Sequence, residues 1–228
     1  MAKVCADSIC KIELLRALSP EVRDCLLSRA RTRDVKRGET LSWQGDRAET
    51  LKIVTRGWVK LFRVSEEGHE AVVNTLGHGQ SFDEVPALLG GESAVSAEAI
   101  TDATVLMLNL SDICSCTNAR AELSQAVLSA AQIHMNSMTN QIEGLKIKTA
   151  TQRLGEFLLQ QSGEHDGLRS FVLPFGKVVL AGMLGMKPES LSRAFSRLKD
   201  VGVCSAGGRV EINDPATLRD WMLQQSIR

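Results

Sequence analysis

The chain has 228 residues, equal numbers of basic and acidic side chains and an apolar share of 43%. This length predicts two globular domains, and the zero net charge argues against binding of a polyanion along the whole chain. No apolar run approaches the roughly 20 residues that span a bilayer, and charges interrupt the N-terminal segment, so we expect neither a membrane anchor nor a signal peptide. The six cysteines are better interpreted as thiols than as a disulfide framework, which predicts a cytoplasmic protein.

The charges are distributed unevenly along the chain. Residues 1–145 contain 15 basic and 19 acidic side chains, whereas residues 146–228 contain 12 basic and 8 acidic ones. The N-terminal part is therefore acidic and the C-terminal part basic. This asymmetry predicts that only the C-terminal part contacts a polyanion.

The first half of the chain has the pattern of a β-roll. After a short helix, for which Ser19 is placed as the cap and Pro20 as the first residue, glycines recur at positions 38, 45, 57, 68, 79 and 91. Short runs of apolar and β-branched residues lie between these glycines, as in TLKIVTRGWVKLFRV. Such evenly spaced short strands predict an all-β roll at about residues 35–110.

From residue 118 the pattern becomes helical. Apolar residues alternate in steps of three and four, which is the seam of a coiled coil, at Leu128, Ala131, Met135, Met138, Ile142 and Leu145. One interpretation is that this stripe packs back on the roll. The 3.5-residue period favours a second helix instead, so we expect self-association through this seam.

The C-terminal third predicts a further helix, a hairpin and a final helix. Thr149 and Gln152 have the spacing of a capping box, Gly207-Gly208 separates two short β-runs as in a tight hairpin, and Asp214 is placed to cap the last helix. Between them, a turn at residues 184–186 joins two short helices. Two helices and a hairpin in this order are typical of a winged helix-turn-helix.

The segment MKPESLSRAFSRL, Met186 to Leu198, is the second helix of this motif and has two faces. Apolar residues lie on one face and polar residues on the other. The residues near the helix N-terminus would reach base edges in the major groove, which selects three readers: Glu189, Ser192 and Arg193. The other polar and basic residues are candidates for phosphate contacts: Lys187, Ser196, Arg197, Lys199 and Arg209. Taken alone, the polar face could equally be the solvated side of an ordinary surface helix.

These features together resemble the CRP/FNR superfamily of bacterial transcription regulators. The segments GWVKLFRVSEEGHEAVV and LGMKPESLSRAFSRL are closest to its Dnr/Nnr branch, which regulates denitrification in response to nitric oxide. The resemblance implies an α+β fold with a cyclic-nucleotide-binding-like β-roll sensor domain over residues 1–116, a dimerisation helix over 117–147 and a winged helix-turn-helix over 148–228. It also implies a homodimer on double-stranded DNA, half-sites of the TTGA type in an inverted repeat, and an activator that contacts RNA polymerase.

The sensor stretch FDEVPALLGGESAVSAEA departs from the members that bind cyclic nucleotides. Those members have a Gly-Glu pair and, about ten residues later, an arginine that binds the cyclic phosphate. Here Asp83 replaces the glycine before Glu84, and Ser93 stands near the position of the arginine. A phosphate would meet two carboxylates and no guanidinium, so we expect no binding of cyclic AMP.

Two other cofactors follow from the resemblance. Oxygen-sensing members bind an iron–sulfur cluster through four cysteines, and the candidates here are Cys5, Cys10, Cys25, Cys114 and Cys116. Their spacing does not match those members, and Leu106 stands near the expected fourth ligand. The Dnr-like resemblance instead implies haem, although none of the four histidines, His69, His78, His134 and His165, is distinguished by its sequence context.

No nucleophile–base pair, phosphate loop or zinc signature occurs in the sequence, so we predict that the chain is not an enzyme. A redox sensor that uses the cluster or free thiols is one alternative for the signal. A stand-alone ligand-binding β-roll of the cupin type is an alternative for the whole protein, but it leaves the hairpin and the polar helix face unexplained.

Overall fold

The computed structural model of the chain describes residues 12–110, 117–164 and 170–225. It divides into two compact units, Met1–Ser137 and Met138–Arg228, each considered by itself below. The helices are α1 (Glu13–Arg16), α2 (Pro20–Ser28), α3 (Glu84–Leu89), α4 (Thr117–Ile147), α5 (Ala150–Glu164), α6 (Lys177–Met183), α7 (Pro188–Lys199) and α8 (Pro215–Gln225). Within the described ranges, no helix combines the length and the apolar character that crossing a bilayer requires.

Eight antiparallel strands form the roll of the first unit. They are β1 (Arg31–Val35), β2 (Thr40–Ser42), β3 (Leu51–Arg56), β4 (Val59–Val64), β5 (Glu70–Leu76), β6 (Ser81–Phe82), β7 (Ser96–Ala99) and β8 (Ala103–Leu108). One sheet has the order β1-β8-β3-β6 and the other β2-β7-β4-β5. The sequence prediction of a β-roll in this region is therefore confirmed.

Alternation along β3 separates two cores. Val54 packs inside the roll with Val59, Phe82 and Val105, whereas Leu51 and Ile53 point to the opposite face, as the two-residue period of a strand requires. There they pack against α1, α2 and the first part of α4. The residues of α4 in this second core are Ala119, Leu123, Ala126, Val127 and Ala130.

The start of α2 differs from the sequence prediction. Ser19 precedes the helix and Pro20 is its first residue, but the Ser19 side chain makes no capping hydrogen bond. The backbone N–H of Ser19 instead donates to the carboxylate of Glu122, at 2.9 Å. The predicted cap was wrong because a partner 103 residues away in sequence contacts this turn, and no local pattern encodes such a contact.

The second unit contains the end of α4, helices α5 to α8 and a sheet of β9 (Ser170–Val172), β10 (Val203–Ala206) and β11 (Arg209–Ile212) in the order β10-β11-β9. The capping box of α5 is present, because the Thr149 N–H donates to Gln152 Oε1 at 2.8 Å and the Gln152 N–H donates to Thr149 Oγ1 at 3.3 Å. Gly207 and Gly208 make the predicted hairpin turn with positive φ angles. Asp214 caps α8 by accepting from Ala216 N–H at 3.0 Å.

Candidate nucleic-acid interface and sensor site

Helix α7 has one buried face and one exposed face, as its sequence predicts. Leu191, Ala194, Phe195 and Leu198 are buried. All eight residues predicted to contact DNA are exposed: Glu189, Ser192, Arg193, Lys187, Ser196, Arg197, Lys199 and Arg209. Seven of them lie on α7 or at its ends and the eighth begins strand β11, and together they comprise five cations and one carboxylate. Such a set of exposed groups suits a polyanion.

The polar side chains of α7 are held close to their own helix. The hydroxyl of Ser192 donates to the carbonyl of Pro188 and that of Ser196 to the carbonyl of Ser192, both at 3.1 Å. A guanidinium nitrogen of Arg193 donates to Ser190 Oγ at 3.2 Å. The hydroxyl protons of both serines are therefore engaged in hydrogen bonds within the helix. The guanidinium of Arg193 has further N–H groups that can donate to a partner.

The turn between α6 and α7 is tight. The Gly185 N–H donates to the carbonyl of Gly182 at 3.1 Å and the Met186 N–H to that of Ala181 at 2.9 Å. Gly185 has a φ of +61°, a conformation that costs glycine little and most other residues more. Helix α7 then begins at Pro188.

Sequence reasoning missed two cations in this unit. Lys177 opens α6, and its ammonium lies 5.5 Å from the ring centroid of Phe195. Arg153 of α5 donates to two backbone carbonyls in the turn and to a third just after α4. The position of Lys177 at the first residue of the first motif helix was a usable signal, whereas nothing local distinguished Arg153 from a solvated arginine.

In the roll, the structure explains why an aspartate replaces the expected glycine. Asp83 has a φ of +62°, the left-handed region that aspartate tolerates better than most side chains. Its carboxylate accepts from the ammonium of Lys52 at 2.6 Å, and both side chains are buried. Lys52 also lies 5.4 Å from the ring centroid of Phe82. Asp83 is thus part of an internal ion pair.

The carboxylate of Glu84 is buried beside this pair. It accepts from Ser81 Oγ at 2.5 Å, and His134 Nδ1 of α4 lies 3.8 Å from the same oxygen, Oε1. Ser93 is buried as well, and within the described residues its hydroxyl has no hydrogen-bond partner. The sequence predicted that no basic side chain stands beside Asp83, Glu84 and Ser93 to bind a phosphate. The structure corrects this, because Lys52 is present, although its charge is already paired with Asp83.

The other sensor candidates are scattered or lie elsewhere. Cys5, Cys10, Cys114, Cys116 and His165 fall outside the described residues. Cys25 is half-buried in α2, and Leu106 is buried in the second core. Among the side chains that the structure describes, no three His, Cys, Asp or Glu groups are arranged to hold a metal ion.

Two protein-family models match this chain, one in its N-terminal part and one in its C-terminal part. The family model for the cyclic nucleotide-binding domain matches residues 32–119, and that for the Crp-like helix-turn-helix domain matches residues 152–221. A solved structure from Silicibacter pomeroyi DSS-3, of a regulatory protein for which cyclic AMP binding has been suggested, is 40% identical. It covers 95% of this chain and 99% of that chain, with a TM-score of 0.68.

The chain belongs to the CRP/FNR family of transcription regulators.

Two further members of the family have similar sequences. The cyclic AMP receptor protein of Thermus thermophilus is 28% identical over 91% of this chain and 95% of that protein. The transcriptional activator protein FnrA of Stutzerimonas stutzeri is 27% identical over 78% of this chain and 75% of that protein. As a CRP/FNR member, the protein is a DNA-binding transcription regulator and not an enzyme, and the predicted order of roll, long helix and helix-turn-helix is confirmed. The cupin-type alternative is wrong.

Proposed function

We propose that this CRP/FNR regulator binds DNA as a homodimer, at an inverted repeat of TTGA-type half-sites, in the cytoplasm. The single observation that carries the proposal is the exposed polar face of α7, whose Glu189, Ser192 and Arg193 point away from the core. Arginine can donate to guanine O6 and N7 together, and glutamate can accept from cytosine N4. The phosphate candidates are exposed as well: Lys187, Ser196, Arg197, Lys199 and Arg209.

The homodimer is supported by the exposure of the α4 seam. Leu128 is 67% exposed and Met138 is 48% exposed, and Met135, Ile142 and Leu145 are exposed to a similar degree. The residues of α4 that pack on the roll, from Ala119 to Ala130, are a different set. A row of apolar side chains at heptad spacing that is left exposed on one chain suits a second copy of the same helix.

DNA affinity tests this proposal. Fluorescence anisotropy with a labelled TTGA-type inverted repeat is expected to give binding at least about a thousandfold tighter than to a duplex with both half-sites scrambled. The affinity should fall steeply with salt, because the basic residues release condensed counterions from the phosphates. Equal affinity for the two duplexes would contradict the proposed sequence specificity.

We propose that the signal is nitric oxide, which acts through haem, in line with the similarity to the Dnr/Nnr branch. We also propose that the protein is an activator that contacts RNA polymerase. Of the described histidines, His134 fits an iron ligand best. It is partly buried, and its Nδ1 lies 3.8 Å from the Glu84 carboxylate, so Nε2 is the nitrogen that would be left for the metal. Haem would supply the iron that binds the gas. A thiol or iron–sulfur sensor through Cys25 and the cysteines outside the described residues is the alternative.

A pair of titrations separates these signals. We expect millimolar cyclic AMP to leave the unfolding temperature unchanged, because the Lys52–Asp83 pair already neutralises the buried cation and any ligand of the folded state must raise its stability. Haem should give a Soret band that His134→Ala weakens and His69→Ala, at an exposed histidine, does not. An increase of several degrees with cyclic AMP would overturn the argument from Asp83, and a Soret band unaffected by His134→Ala would overturn the assignment of the ligand.

A further inference from the structure

The last residues of the long helix contact the helix-turn-helix turn inside the second unit. The Leu145 side chain packs so closely on Gly185 that a Cβ at Gly185 would overlap it. Leu145 is also the last position of the proposed dimer seam. The end of the seam therefore lies directly against the turn that leads into α7.

Arg153 joins the same two segments with hydrogen bonds. Its Nε donates to the carbonyl of Leu184 at 2.9 Å and one terminal nitrogen to that of Gly185 at 3.4 Å, both in the turn. The other terminal nitrogen donates to the carbonyl of Lys148, just after α4 ends, at 2.8 Å. One planar guanidinium thus bridges the end of the dimer helix and the turn.

The N–H groups of Arg153 are directed toward the protein's own backbone rather than toward a nucleic acid. Partial burial lowers the pKa of the Arg153 guanidinium, yet an arginine stays charged at neutral pH. Hydrogen bonds from a charged group to carbonyls are among the stronger ones in proteins. Arg153 is therefore suited to hold a backbone geometry.

We propose that Arg153 is the positioning residue that sets the spacing of the two half-sites, by fixing α7 at a defined orientation to the end of the dimer helix. This inference rests on the proposed homodimer at an inverted repeat. In a two-fold dimer, the separation of the recognition helices must match the separation of the half-sites. Each added base pair displaces a half-site along the duplex and rotates it by roughly a tenth of a turn, so a dimer with rigidly held α7 helices tolerates one spacing only.

Inverted repeats whose spacers differ by one base pair test this role. The full chain should prefer one spacer strongly, and Arg153→Met, which keeps the length of the side chain but removes its donors, should reduce that preference by about tenfold or more. The slope of affinity against salt should stay unchanged, because every phosphate contact is retained. Arg153→Lys, which retains the charge but not the planar fork, should give an intermediate preference and also serves if the methionine variant does not fold.

The matched control is Glu156→Gln on the same helix. Glu156 pairs with Lys148 at 2.8 Å in an exposed ion pair and makes no described hydrogen bond to the turn, so this variant should keep the wild-type spacing preference. A wild-type chain that binds scrambled DNA as tightly as every repeat would overturn both this inference and the proposed function. Specific binding with a spacing preference that survives Arg153→Met and Arg153→Lys would overturn this inference alone.

Discussion

Replacing Met138 by aspartate is expected to convert the proposed dimer to a monomer. Met138 is half-exposed on one chain, and in a parallel coiled coil it would face its own copy across the seam. Two aspartates would then place like charges in an apolar contact, which costs several kcal/mol because neither carboxylate has a partner. Sedimentation velocity at micromolar concentration should show one chain instead of two, and affinity for the inverted repeat should fall more than about a hundredfold, because a monomer uses one half-site at a time.

Ile133→Asp is the matched control for this variant. Ile133 lies on the same helix and is 50% exposed, close to the value for Met138, but it falls outside the heptad seam. The control should remain dimeric and bind the repeat normally. If both variants stay dimeric, α4 does not form the interface, and self-association would have to use another surface.

The parts of the structure that follow local periodicity were accessible from the sequence. The two faces of α7, the Thr149–Gln152 capping box and the Gly207-Gly208 hairpin each depend on residues within a few positions of one another. The face that α4 presents to the roll was not identified, because three of its five core residues are alanines and give a weaker pattern than the apolar seam.

The parts that depend on distant contacts were not accessible. The pairing of Lys52 with Asp83 joins residues 31 positions apart, although a lysine inside the apolar strand segment LKIV was a signal that its charge needs a partner. Ser19 makes its backbone contact with Glu122, which no capping pattern could indicate. The hydrogen bonds of Arg153 to the turn form only when the turn at Gly185 folds against the end of α4.

Arg193→Ala is expected to relax the sequence preference at one base pair of each half-site. If the guanidinium donates to guanine O6 and N7, its removal should cost about 1–3 kcal/mol per half-site, and a dimer bears this cost twice. Arg197→Ala and Arg209→Ala should act differently. Because these two arginines are expected to contact phosphates, their removal should weaken binding to all sequences alike and reduce the salt slope by about 0.9 for each phosphate that is no longer neutralised.

The decisive measurement is the affinity of these three variants and the wild type for the TTGA-type inverted repeat and its single-base variants, at two salt concentrations. We expect that Arg193→Ala alone changes the base preference, and that Arg197→Ala and Arg209→Ala alone change the salt slope. A uniform decrease of affinity in Arg193→Ala, together with an altered base preference in Arg197→Ala, would contradict this expectation and place the readers one helical turn further along α7, at Ser196 and Arg197.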